Sequence, residues 1–231
     1  MVAGQQTGEY FVDIVMCIDA TGSMGPIIGE VKNNAIEFYQ KFVDKMETKG
    51  KEISQLRIKV IAFRDFKSDE EPMKESEFFN LPEQNDEFKT FVEKIEAKGG
   101  GDEPENALEA IALALKSDWT KAGAKRRHVV LVFSDASAHD LGAEGGADSP
   151  RYPSDMPKNL GQLRAWWEGN DQTFSSKLEN EAKRLIAFVP NASPWSDMEN
   201  FSLFWPMYST AGTGLSEETI DTALEILAGS V

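Results

Sequence analysis

With 231 residues, 41% of them hydrophobic and 10% aromatic, the chain can bury a core and has the composition of a folded protein, which excludes extensive disorder. Its 39 acidic residues against 24 basic ones give a net charge of -15, which argues against nucleic acid and membrane surfaces as partners and suits cations or basic surfaces. Cys17 is the only cysteine, so no internal disulfide forms, and no run approaches the ~20 apolar residues of a membrane span.

The first residues, Met1 to Gln6, lack the basic-then-apolar pattern of a signal peptide, and a cytoplasmic protein is expected. Tyr10 to Ile18 is a near-continuous apolar run broken by Asp13, the pattern of a strand buried on both faces. From Ile27 to about Met46, the residues Ile28, Val31, Ala35, Phe38, Phe42 and Met46 keep helical spacing, and Gly50 supplies a stop. Leu56 to Phe63 reads as a second strand. Asp65 to Pro72 is charged and turn-like, and Phe78-Phe79 suits a short edge strand before a helix from about Asp86 to Ala97.

Gly99-Gly100-Gly101 forms a sharp loop, followed by Asp102, Pro104 and Glu105 and a helix from Asn106 to Lys116. Asp102 can cap that helix, with Glu105 three residues on completing a capping box. Lys125-Arg126-Arg127 reads as a solvated turn leading into a third strand, His128 to Ser134. Arg184 to Val189 is a fourth strand, and Thr219 to Leu227 closes the chain with a helix. The segment at about 139–178 is too long for an ordinary connection, so an inserted lid or loose surface loop is expected there, held to the body by Trp166-Trp167.

Apolar strands alternating with amphipathic helices predict an α/β fold in one domain over 1–231. Its central sheet is mostly parallel, with helices on both faces and one short antiparallel edge strand. In such a sheet, ligands bind beyond the carboxyl ends of the strands. Three acidic loops fall there: Asp19-Ala20-Thr21-Gly22-Ser23, Gly100-Gly101-Asp102 and Ser134-Asp135-Ala136-Ser137. Carboxylates and hydroxyls converging from such loops are the oxygen donors that a hard divalent cation requires.

Asp19-x-Thr21-x-Ser23 after an apolar strand resembles the Asp-x-Ser/Thr-x-Ser signature of the metal-ion-dependent adhesion site of von Willebrand A domains. The resemblance covers the strand and helix order of the whole chain. It implies a Rossmann-like fold with Asp19, Thr21, Ser23 and Asp135 as metal ligands. Asp102 stands where the commonest family members place a threonine, which would make the site more acidic. The implied ion is Mg²⁺, with Mn²⁺ or Ca²⁺ as alternatives.

Ser134-Asp135-Ala136-Ser137-Ala138-His139 is similar to the Asp-Ala-Pro-Pro-His stretch of microbial A-domain proteins, including those associated with alpha-kinases, although both prolines are absent. Gly99 to Glu105 points to the same intracellular microbial branch, and His139 is either a neighbour of the metal or a histidine on an exposed loop. The function so implied is a metal-dependent adaptor, non-enzymatic, whose ion takes an acidic side chain or phosphate from another protein. Two alternatives stand beside it. One is a phosphoryl hydrolase of haloacid dehalogenase type, whose second aspartate is replaced here by Thr21, a poor general acid. The other is a structural subunit with a purely stabilising metal.

Overall fold

The computed structural model describes residues 9–101, 103–209 and 217–229. The central strand is β1 (Tyr10–Asp19), flanked by β2 (Ile53–Phe63) and β5 (Lys125–Phe133), both parallel to it. Beyond β5 lie β6 (Lys183–Pro190) and β7 (Phe204–Ser209), also parallel. The expected antiparallel edge is present in two pieces, β3 (Met73–Glu75) and β4 (Phe79–Leu81), which share the outer edge of β2. The helices are α1 (Ile28–Thr48), α2 (Asn85–Glu93), α3 (Ala107–Lys116), α4 (Leu160–Glu168) and α5 (Glu217–Gly229).

The period of two along each strand explains why both faces are covered. Val12, Ile14, Met16 and Ile18 of β1 join Val129, Leu131 and Phe133 of β5 in one core layer under α1, where Val31, Ala35, Phe38, Phe42 and Met46 close it. Val15 and Cys17 face the other way, with Val130, Val132, Leu185 and Ala187, into a second layer under α3. Every residue of α3 from Ala107 to Leu115 is buried, because this helix is covered on its outer side as well.

That cover is the long segment expected as a lid or loose loop. It is packed instead. Leu141, Leu163, Trp166, Trp167 and Leu178 lie in the same core layer as α3. Within the segment, Asn159 caps α4 by accepting a hydrogen bond from the Gln162 amide at 2.9 Å. Trp167 Nε1 donates to the Ser202 carbonyl, and Lys183 lies over the Trp167 ring.

Lys125-Arg126-Arg127 is likewise not a solvated turn: it opens β5, and Arg127 is buried with its guanidinium 5.2 Å from the centre of the Tyr10 ring. A long side chain can bury its stem and stack its charged head on an aromatic face, so charge alone is a poor guide to exposure. At the same end of the sheet, Asp13 is completely buried and holds Arg57 through two hydrogen bonds, of 2.8 and 2.6 Å.

The register sets the other end. Asp19 pairs opposite Phe63 of β2, and Ile18 opposite Phe133 of β5. Three strands therefore finish at one level, and the loops that follow them emerge side by side.

Candidate metal centre

Asp19 is the last residue of β1 and is fully buried. Its Oδ1 accepts hydrogen bonds from the Thr21 amide at 2.9 Å and from Thr21 Oγ1 at 2.7 Å. Its Oδ2 accepts from Ser134 Oγ, across the sheet, at 2.6 Å. Thr21 Oγ1 lies 3.0 Å from Ser23 Oγ, and Ser23 Oγ donates to Asp135 Oδ1 at 3.0 Å. Asp19, Thr21, Ser23 and Asp135 are thus one continuous chain of oxygen atoms running between two loops. Asp102 lies outside the described residues.

The polypeptide around this chain is held by backbone bonds. The Ala20 amide donates to the Phe63 carbonyl, and Gly22 to the Gly99 carbonyl at 3.0 Å. A side chain at Gly22 would place its Cβ 3.1 Å from that carbonyl, so the close approach of the two loops needs glycine. Arg64 spends all three guanidinium nitrogens on carbonyls of Ala20, Glu71 and Glu96, tying the first loop to the segment after α2.

A further layer of acids lies behind. Asp65, two residues past the end of β2, is fully buried; its Oδ1 accepts from the Lys67 amide, while its Oδ2 has no hydrogen-bond partner. Asp69 Oδ2 accepts from the amides of Asp65 and Gly100. Glu105 is 3% exposed and its Oε2 has no partner. Glu109 is fully buried and accepts from the Tyr152 hydroxyl at 2.9 Å. His139 is also buried, with Nε2 3.9 Å from Asp65 Oδ1, so it lies on the side of the acids rather than on an exposed loop.

Burial dominates the electrostatics of these groups. It pushes the Asp19 carboxyl up to about 6, against the hydrogen bonds from Ser134 and Thr21 that hold it down. Burial, then the charges of Asp19, Asp65, Asp69 and Asp135, push Glu105 up to about 9. Among the described residues, no three His, Cys, Asp or Glu side chains are gathered tightly enough to hold an ion by themselves. Any ion here would depend on the hydroxyls of Thr21 and Ser23 as well as the two aspartates. Those donors are all oxygen and only two are charged, a set that fits a hard divalent cation.

Sequence reasoning placed Ser134 and Glu105 in or beside the converging loops without a role at the site, and missed Asp65 and Glu109. For Asp65 a signal existed: it follows the apolar end of a strand at Phe63, as Asp135 follows Phe133. The helix α3 begins at Ala107 with Asn106 in the cap position. Glu105 instead lies before the helix, in a parallel bridge with Ala138.

A family model described as von Willebrand factor A domain matches residues 13–146, more than half of the chain. The chain belongs to the von Willebrand factor A domain family. Alpha-protein kinase vwkA of Dictyostelium discoideum is 27% identical over 149 residues, which are 64% of this chain and 22% of that protein. Among solved structures, the pilus adhesin SpaC of Lactobacillus rhamnosus GG superposes with a TM-score of 0.58 at 10% identity, covering 97% of this chain and 31% of the adhesin. A von Willebrand factor type A protein from Catenulispora acidiphila gives a TM-score of 0.52 at 14% identity, covering 95% of this chain and 43% of that one. At these identities the structural likeness concerns the A-domain fold alone. The chain spans less than half the length of each of these three proteins. Domains of this family often serve as protein-interaction modules. No helix among the described residues is long and apolar enough to cross a membrane.

Proposed function

We propose that this A domain is a divalent-cation-dependent protein-binding module, with Asp19, Thr21, Ser23 and Asp135 holding the ion. Asp102, from the glycine loop, is included as a further ligand, and the ion proposed is Mg²⁺, with Mn²⁺ or Ca²⁺ able to replace it. The observation that carries the reading is the unbroken run of oxygen atoms from Asp19 through Thr21 and Ser23 to Asp135. It is half exposed, as a docking site requires, because Ser23 and Asp135 reach solvent while Asp19 and Thr21 are buried.

The bound ion would be completed by an oxygen donor from another protein, and the domain would act as an adaptor, not an enzyme, inside the cell. Against hydrolysis stands Thr21, whose hydroxyl occupies the place of a general acid and already donates to Asp19, the carboxylate that would be the nucleophile. Isothermal calorimetry with Mg²⁺ tests the ion, with Asp19→Ala as the variant expected to abolish the heat. Capture of proteins in Mg²⁺ and in EDTA tests the module. Retention in EDTA would overturn the dependence on the ion, and phosphatase turnover by the Mg²⁺-loaded chain would overturn the binding role.

A further inference from the structure

Glu105 is a carboxylate with no task in the fold. Its backbone is fixed on both sides: its amide donates to the Ser137 carbonyl at 3.0 Å, and its carbonyl accepts from the His139 amide at 2.8 Å. The residue is therefore fastened to the loop that carries Asp135. Its side chain runs beneath the glycine loop. A Cβ built on Gly100 would lie 2.8 Å from Glu105 Oε1 and equally 2.8 Å from Thr21 Cβ, so the carboxylate and Thr21 flank the same point. Only glycine, at a φ of +86°, leaves room between them.

Of the two Glu105 oxygens, Oε2 is buried and accepts no hydrogen bond. A buried acceptor without a donor costs about 1–3 kcal/mol, so a fold retains one where something absent from the bare chain supplies the donor. The charges that act most on Glu105 are those of Asp19, Asp65, Asp69 and Asp135, all of them acidic. Among the described residues the acids are not gathered tightly enough to hold an ion by themselves, which suits Glu105 to an outer position. Mg²⁺ gives up its water reluctantly and usually keeps several water ligands, each with protons to donate.

We propose that Glu105 is the outer carboxylate of the cation site, its Oε2 accepting a hydrogen bond from a water molecule on the ion. This inference rests on the cation reading above. Glu105 is then a positioning residue: it fixes one water of the ion from below, and leaves the outward positions to Ser23, Asp135 and a partner. Groups in such outer positions change metal affinity by about 10–100-fold when removed.

The test is Mg²⁺ titration by calorimetry of the full chain and of its Glu105→Gln and Glu105→Leu variants, together with thermal unfolding of each in EDTA. Gln keeps an acceptor but cannot take on the negative charge that a neighbouring cation favours, and Leu loses both at similar volume. Mg²⁺ affinity is expected to fall at least tenfold in Gln and further in Leu, while unfolding in EDTA stays where it was or rises. A residue serving only the fold would show the opposite pattern, with lower stability in EDTA and Mg²⁺ affinity unchanged, and that result overturns the inference. If the wild-type chain takes no Mg²⁺ at all, the cation reading itself fails and this inference falls with it. If the wild type binds and Asp19→Ala does not, while both Glu105 variants match the wild type, only the inference fails.

Discussion

Ser134 Oγ donates to Asp19 Oδ2 at 2.6 Å, linking the ends of two neighbouring parallel strands through a hydroxyl and a fully buried carboxylate. Ser134→Ala removes the donor and leaves that oxygen unpaired, which costs about 1–3 kcal/mol of stability. It also raises the proton affinity of Asp19, so Mg²⁺ affinity near pH 6–7 should drop about tenfold. Chemical denaturation and calorimetry measure the two effects separately. Equal stability in wild type and variant would mean that the short contact contributes nothing net.

Asp135 offers the second charge of the oxygen chain and lies where solvent reaches it. Asp135→Asn should lower Mg²⁺ affinity at least tenfold with little change in folding, because the group is not buried and its one hydrogen bond, from Ser23, can be kept by the amide oxygen. Calorimetry at fixed ionic strength gives the affinity, and thermal unfolding in EDTA checks that the fold is intact.

Glu109 contributes to the pH dependence. Burial pushes its carboxyl from 4.5 up to about 7, against the hydrogen bonds from Asn106 and Tyr152. The folded state then holds a proton that the unfolded chain releases, so this group's contribution is full below pH 4.5 and is lost as pH rises through about 7. The loss is on the order of 3 kcal/mol. Unfolding of the wild type in EDTA should weaken steadily across that window, and Glu109→Gln should flatten the decline. An unaltered profile in the variant would assign the decline to other acids.

Gly100→Ala is expected to destabilise by about 1–3 kcal/mol, since φ is +86° and the new methyl would meet Glu105 Oε1 and Thr21 Cβ, each at 2.8 Å. Because both neighbours belong to the proposed cation site, Mg²⁺ affinity should fall as well. Glycine is needed here by the loop's approach, so restoring affinity by higher pH is not expected.

Arg57→Ala acts at the opposite end of the sheet and serves as a control. It strands Asp13, which is completely buried and otherwise receives only the Thr120 amide at 2.6 Å. Breaking a buried pair by removing one partner costs about 3–5 kcal/mol. Denaturant midpoints should show that loss with Mg²⁺ affinity unchanged in the folded fraction.

The strands and the long helices were legible because burial on both faces of a parallel sheet writes apolar runs into β1, β5 and β6, and a helical stripe into α1. The first loop of the candidate site was legible because Asp19, Thr21 and Ser23 alternate within one turn. Most short elements were not: β3, β7 and α4 are held mainly by neighbours remote in sequence, and their local patterns are too brief to stand out. The basic run at Lys125 was misread for a related reason, since the Tyr10 ring that buries Arg127 comes from another strand.

The sequence by itself determined that Asp19 ends a buried strand and opens the loop Ala20-Thr21-Gly22-Ser23, and that Asp135 follows another strand. Only the tertiary structure decided that these residues form one chain of oxygens, because that depends on β1 and β5 ending in register. It also decided that Ser134 anchors the chain and that Glu105 stands beneath it with an unpaired oxygen. Spacing along the chain fixes what a turn presents. Which carboxylates lose their water, and which of them meet, is fixed by the packing of loops far apart in sequence.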